Sequence, residues 1–244
     1  MNKKRLDLLL TEKGLSGSRQ KAQGIIMAGL VRVNGETIDK PGRLVNPLAS
    51  IHITGNDNPY ASRGGIKLHA ALKDFGISIH GLTMLDVGAS TGGFTSCLLE
   101  HGAKKVIAVD VGYGQIAWSL REDPRVLLIE RTNIRYLTKE SVNEVIDGAV
   151  IDVSFISLRI VVPATLRLLK NDSFIIALIK PQFEAGKGMV GKGGVIRDEA
   201  VQTKVVDDLI TYFHGIGLIV SGKMESPIKG TKGNKEFFVY LRNQ

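Results

Sequence analysis

The sequence predicts a doubly wound α/β sheet, parallel except for a reversed last strand, preceded by a small and basic α+β domain. Three observations predict it. From residue 64 onward, short apolar runs rich in Val and Ile alternate with stretches of helical periodicity, the pattern of parallel strands joined by covering helices. The last two runs are separated by a loop too short for a crossover helix, so the final strand has to run antiparallel. Residues 1–55 hold nine Lys or Arg against four acids, which is five of the eight net positive charges of the 244-residue chain.

In the N-terminal segment, apolar spacing predicts helices over 5–13 and 19–27, joined by the turn Gly14-Leu15-Ser16-Gly17-Ser18, with Ser18 capping the second. Leu30-Val31-Arg32-Val33 followed by Asn34-Gly35 predicts a strand entering a tight hairpin. The order RLDLLL, GLSGSRQKA, IMAGLVRVNG, DKPGRLV resembles the RNA-binding domain first seen in ribosomal protein S-four. That resemblance implies two helices and a small sheet, with Arg5, Ser18, Arg19, Lys21 and Arg32 toward RNA, through contacts that are largely electrostatic and shape-read. Residues 54–59 are turn-rich without apolar periodicity, so the expected organisation is a domain over 1–55, a linker over 56–63 and a second domain over 64–244.

In the second domain, strands are expected over 83–87, 105–110, 126–129, 148–152, 174–180, 218–224 and 236–241, with helices over 94–100, 156–169 and 199–213 among the connections. The first strand ends in Asp86-Val87-Gly88-Ala89-Ser90-Thr91-Gly92-Gly93-Phe94, and a helix follows at once. Glycines there let a ligand approach the backbone at the carboxyl edge of the sheet, but the G-x-x-x-G-G spacing is not that of a dinucleotide binder. The loop resembles that of S-adenosylmethionine enzymes. Asp110, which ends the second strand 22 residues after Gly88, is placed to accept hydrogen bonds from ribose hydroxyls. The expected cofactor set is Asp86, Gly88, Ala89, Ser90, Gly92, Gly93, Phe94, Asp110, Asn133 and Asp152, with Asn133 on the adenine side. The stretch from Gly186 to Gly193 imitates a phosphate loop, yet Gly193 stands where a Ser or Thr has to meet magnesium. Its Lys187 and Lys192, with Arg197, read instead as a mobile basic lid over RNA.

Four charged residues fall on the carboxyl edge or its approach: Asp152 and Lys180 end the fourth and fifth strands, Glu236 begins the reversed strand, and Lys67 lies on the entry helix. A lysine at the end of an apolar strand is costly unless acids surround it or catalysis exploits it. The order Lys67, Asp152, Lys180, Glu236 resembles the catalytic tetrad of FtsJ-like ribose 2′-O-methyltransferases. With the preceding RNA-binding domain and the phrases DVGASTGGFT, DVSFISL and KPQFEAG, the whole chain resembles the TlyA (hemolysin A) family. The resemblance implies a Rossmann-like methyltransferase that uses S-adenosylmethionine to methylate the 2′-oxygen of cytidine in ribosomal RNA. Lys180 is then expected to take or polarise the ribose proton.

Composition narrows the alternatives. A single cysteine and five scattered histidines leave no disulfide framework and no metal-ligand spacing, so no metal is expected. MNKKRLDLLL lacks the apolar core of a signal peptide, and no window approaches a membrane span, so a cytoplasmic setting is expected. The partner that the resemblance implies is ribosomal RNA, within ribosomal subunits, and the chain is expected to act as a monomer. Methylation at pyrimidine C5 generally needs a cysteine nucleophile, and Cys97 reads as core. Amino-group methylation commonly uses a proline-rich motif after the fourth strand, where this chain has Asp152-Val153-Ser154-Phe155. The rival readings are a non-catalytic RNA- or ribosome-binding module and a membrane-active hemolysin.

Overall fold

The computed structural model describes every residue except 1, 2, 28, 54–57, 187, 192 and 244. The chain divides into two compact units, Met1–Pro59 and Tyr60–Gln244.

The first unit contains β1 (Lys4–Arg5), α1 (Leu6–Glu12), α2 (Arg19–Met27), β2 (Val31–Val33), β3 (Glu36–Ile38), β4 (Leu44–Val45) and β5 (Ile51–Ile53). Leu6, Leu9 and Leu10 on α1, and Ala22 and Ile26 on α2, recur at helical spacing and pack on Val31, Val33 and Val45. β2 is central, with β3 and β5 antiparallel on either side. Asn34 and Gly35 adopt φ of 50° and 88°, the left-handed pair that a two-residue hairpin demands. Ser18 caps α2, its Oγ accepting the Lys21 N–H at 3.2 Å. Asp7 is fully buried and accepts from Arg5 Nε (3.0 Å) and Nη2 (2.9 Å), Arg19 Nε (3.1 Å) and Gln23 Nε2 (3.0 Å). The Arg5 hydrogen bonds outweigh burial and hold its carboxyl well below the usual carboxylate range.

The second unit runs α3 (Arg63–Asp74), β6 (Thr83–Val87), α4 (Gly93–Glu100), β7 (Lys105–Val109), α5 (Trp118–Arg121), β8 (Val126–Ile129), α6 (Lys139–Val142), β9 (Ile146–Ile151), α7 (Leu158–Leu166), β10 (Leu169–Ile179), α8 (Pro181–Glu184), α9 (Glu199–Gly215), β11 (Ile219–Glu225) and β12 (Phe237–Arg242). Residues 60–63, expected as linker, belong to this unit: the Ala61 N–H donates to Ser96 Oγ (3.0 Å), and Ser62 Oγ caps α3 through the Gly64 N–H (3.3 Å).

The sheet order is β11-β12-β10-β9-β6-β7-β8. β12 is antiparallel to both β10 and β11, and the remaining pairs are parallel, so the reversed last strand lies between two others and not at an edge. β6 is buried throughout, as a central strand covered on both faces has to be. Met84 packs with Leu68, Leu72 and Leu98 of α3 and α4, whereas Leu85 and Val87 pack with Val161 of α7 and join the core that holds Val205 and Leu209 of α9. The chain leaves β6 toward β7 and β8, then returns on the other side through β9 and β10. The switch point therefore opens between the carboxyl ends of β6 and β9, where ligands bind in such sheets.

Candidate active site

At the switch point the Asp152 N–H donates to the Val87 carbonyl at 3.0 Å, holding the ends of β6 and β9 together. Gly88 turns away with φ of 89°, and a Cβ there would lie 2.5 Å from the Asp152 carbonyl oxygen, so only glycine lets the strand ends approach this closely. Two cavities meet at this point and share Gly88, Ser90 and Asp152.

The first, of about 660 Å³, has Val111, Ile134, Val153 and Ile156 as apolar wall and Asp110, Thr132, Asn133 and Gln115 as polar groups. Asp110 is oriented by two backbone donors, with Ser90 N–H to Oδ2 and Gly112 N–H to Oδ1, both at 2.7 Å. Each oxygen keeps a further lone pair for a vicinal diol. Asn133 caps a short turn with its Oδ1, which accepts the Arg135 N–H at 3.1 Å. A nucleoside fits this combination of volume, apolar wall and fixed carboxylate.

The second cavity, of about 580 Å³, is cationic: Arg63, Lys67, Lys229 and Lys232 line it together with Ala89, Gly93, Phe94 and Asp152. The four expected tetrad residues resolve into two ion pairs at its edge, Lys67 and Asp152 lining the cavity and Lys180 and Glu236 standing behind them, in the lining of neither cavity. Lys67 Nζ meets Glu236 Oε2 at 2.6 Å, and Lys180 Nζ meets Asp152 Oδ1 at 2.5 Å, all four side chains being largely buried. The register explains the convergence. Ile179 pairs with Phe237, so Lys180 and Glu236 follow and precede partnered residues on adjacent antiparallel strands. Glu236 stands one residue before β12, and Gly230 leaves room for its carboxylate, which a Cβ there would overlap.

Two expected cofactor residues point elsewhere. Asp86 is fully buried and lines neither cavity; its Oδ2 accepts from Thr95 Oγ1 at 2.6 Å, and its Oδ1 has no partner among the described residues. Burial pushes its carboxyl up to about 7, opposed by the Thr95 hydroxyl and reinforced by the charges of Asp152 and Asp110. Gly92 also lines neither cavity: at φ of 91° it gives way to Leu120, which a Cβ would overlap, so its role is to pack α5.

Among the residues expected to meet RNA, Lys21 and Arg32 are exposed, whereas Arg5 and Arg19 spend part of their hydrogen-bonding capacity on Asp7. Lys187 and Lys192 lie outside the described residues. Arg197 is exposed, but the segment expected to be a mobile lid is tethered just before it. Lys232 Nζ donates to the Gly193 carbonyl (2.7 Å), Asn234 Nδ2 to the Gly194 carbonyl (3.0 Å), and the Ile196 N–H to Asn234 Oδ1 (3.2 Å). The sequence reading missed Lys229, Gly230 and Lys232. Their one signal is position, in the glycine- and lysine-bearing loop that leads into Glu236.

The family model for FtsJ-like methyltransferases matches residues 60–243, and that for the S4 domain matches residues 4–48. The chain is 45% identical over 98% of its length, and 90% of the relative's, to the 16S/23S rRNA (cytidine-2'-O)-methyltransferase TlyA of Mycobacterium tuberculosis. It is 44% identical, over 97% of its length and 99% of the relative's, to Hemolysin A of Brachyspira hyodysenteriae. A solved structure from Streptococcus thermophilus that carries a hemolysin name superposes with a TM-score of 0.79 at 41% identity, covering 100% of this chain and 90% of the other.

Proposed function

Because the chain belongs to the TlyA (hemolysin A) family of FtsJ-like methyltransferases, we propose that it methylates the ribose 2′-oxygen of cytidine in ribosomal RNA, with S-adenosylmethionine as methyl donor. The observation that carries this reading is the pairing of Lys180 with Asp152 and of Lys67 with Glu236, beside a cavity whose Asp110 is oriented to receive a ribose diol. Asp110 would hold the cofactor's ribose hydroxyls, Asn133 its adenine edge, and the backbone of Gly88 and Ser90 its approach to the second cavity. When bound, the cofactor supplies an electrophilic methyl group with a neutral thioether as leaving group.

The chain's own task is the acceptor. A ribose hydroxyl is a poor nucleophile until its proton is removed or strongly polarised. We assign that step to Lys180 Nζ, which is ion-paired with Asp152 at the border of both cavities. The Lys67–Glu236 pair holds Lys67 at the wall of the cationic cavity, where Arg63 and Lys229 suit the flanking phosphates of an RNA strand. Holding the hydroxyl in line with the methyl group contributes several further kcal/mol, roughly the scale of well-oriented reactions.

Other acceptors fit less well. Cys97 is fully buried, and burial pushes its thiol up to about 12, so it offers no thiolate for attack at a pyrimidine carbon. No helix among the described residues is long and apolar enough to cross a membrane, which leaves the hemolysin name of some relatives without that means of acting here. The same proposal has the first unit docking RNA through exposed Lys21 and Arg32 and the chain acting as a monomer where ribosomes are, in the cytoplasm.

Lys180→Ala tests the assignment. Labelled-methyl transfer to ribosomal RNA is expected to fall by at least ~10²-fold, the usual scale for loss of a general base, while calorimetric affinity for the cofactor stays within a few-fold. Retained turnover would remove Lys180 from the mechanism.

A further inference from the structure

We infer that Ser154 is a positioning residue for Lys180, and that with Asp152 it aims the amine at the acceptor hydroxyl; the inference rests on the ribose-methylating reading of this site. Lys180 Nζ is held from one turn by two groups: it forms an ion pair with Asp152 Oδ1 at 2.5 Å, a contact without hydrogen-bond geometry, and donates a hydrogen bond to Ser154 Oγ at 3.0 Å. The turn that presents them is strained. Phe155, the next residue, has φ of 64°, a left-handed conformation that a bulky aromatic rarely adopts. Its ring packs on Phe183 of α8 with centroids 4.7 Å apart, so the segment following β9 touches the segment that follows Lys180. Backbone strain of this kind persists only where the surroundings over-determine it.

The count of bonds at nitrogen gives the consequence. In the neutral form that a base role requires, the amine has four tetrahedral directions: one to Cε, two N–H bonds and a lone pair. Asp152 attracts Nζ but takes no N–H in hydrogen-bond geometry, so it fixes none of these directions. Ser154 Oγ takes one N–H, which closes one of three positions to the lone pair and turns it away from the serine. A hydroxyl on that side then loses its proton to Nζ, while the oxygen electron pair forms the new O–C bond and the S–C pair remains on sulfur. Misplacing a catalytic group by about 1 Å costs up to ~10²-fold in rate, so a second anchor matters even where the first is strong.

The test uses the full chain as wild type, Ser154→Ala and Ser154→Thr. Without cofactor, a small amine-reactive reagent followed by mass spectrometry reports how available the Lys180 lone pair is, with exposed Lys73 as internal reference. Ser154→Ala frees the N–H that Oγ accepts and is expected to speed labelling at Lys180 several-fold relative to Lys73, while lowering kcat by roughly ten-fold or more with KM for RNA and calorimetric cofactor affinity within two-fold of wild type; Ser154→Thr, which keeps the Oγ, reverses most of both. Unchanged labelling in Ser154→Ala overturns the inference, whether activity is kept or falls together with cofactor affinity. Should the wild type methylate no ribosomal RNA, the proposed reaction fails, and the labelling ratio still decides whether Ser154 orients the amine.

Discussion

Gly88→Ala isolates the close approach on which the site depends. The added Cβ would sit 2.5 Å from the Asp152 carbonyl oxygen, 3.0 Å from its carbon and 3.2 Å from Val153 Cγ1, none of them a flexible chain end. Alanine at a φ of 89° costs about 1–2 kcal/mol on conformational grounds, and forcing β6 and β9 apart adds about 1–3 kcal/mol of overpacking. Gly76→Ala is the matched control: its φ is 64°, but no heavy atom lies within 4 Å of the new Cβ, so it incurs the conformational part alone. By scanning calorimetry Gly88→Ala is expected to lower Tm by roughly 10 °C and Gly76→Ala by roughly 4 °C, using the usual conversion for a chain of this size. Because Gly88 borders both cavities, its replacement should also weaken cofactor binding at least ten-fold, about 1.4 kcal/mol, whereas the control leaves affinity unchanged. If Gly88→Ala bound cofactor like wild type and melted no lower than Gly76→Ala, the reading of this contact as the hinge of the site would be refuted.

Asp86→Asn probes the buried carboxyl. The folded value, up near 7, lies above the unfolded one near 4. The wild-type fold therefore binds the extra proton between these pH values and loses stability as pH rises through that window, by on the order of 4 kcal/mol at pH 8. Denaturant unfolding of the Asn variant should lack that slope, and an identical pH profile for the two proteins would show that Asp86 does not titrate there. Asp7→Ala should cost the first unit about 2 kcal/mol, discounted from a fully buried pair because Arg5 and Arg19 are roughly half exposed. Hydrogen exchange of α1 and α2 would register it, and unchanged protection would contradict the account. Since the Asp7 carboxyl is held below its ordinary range, its stabilisation is present above about pH 4 and fades in stronger acid.

The fold was legible where periodicity and chain length are the controlling physics. The seven strands of the large sheet lie within a few residues of their expected places, and the reversed strand followed from a connection too short to cross over. Two bounds shifted for local reasons. β10 begins at Leu169, because Leu169 pairs with Ile146 before a register shift across the polar stretch that leads to Phe174. α7 begins at Leu158 because Ser157 caps it and accepts the Arg159 N–H at 3.1 Å. The candidate site was legible as a set of residue types at strand ends, but its pairing was not. Lys67 and Glu236 are 169 residues apart and meet only where α3 packs on β12, while the β10–β12 register brings Glu236 beside Lys180. Asp86 faces the core and not a cavity, a choice open to any strand-end acid that pattern alone does not decide. Asp7 was passed over because its partners Arg5, Arg19 and Gln23 come together only when α1 packs on α2.

The most direct measurement is to incubate the purified chain and methyl-labelled S-adenosylmethionine with separated small subunits, large subunits and naked ribosomal RNA, then map the label. Label is expected on a cytidine 2′-oxygen in at least one of the three, and none there with Lys180→Ala. Label on a base, or no incorporation into any ribosomal RNA, would contradict it.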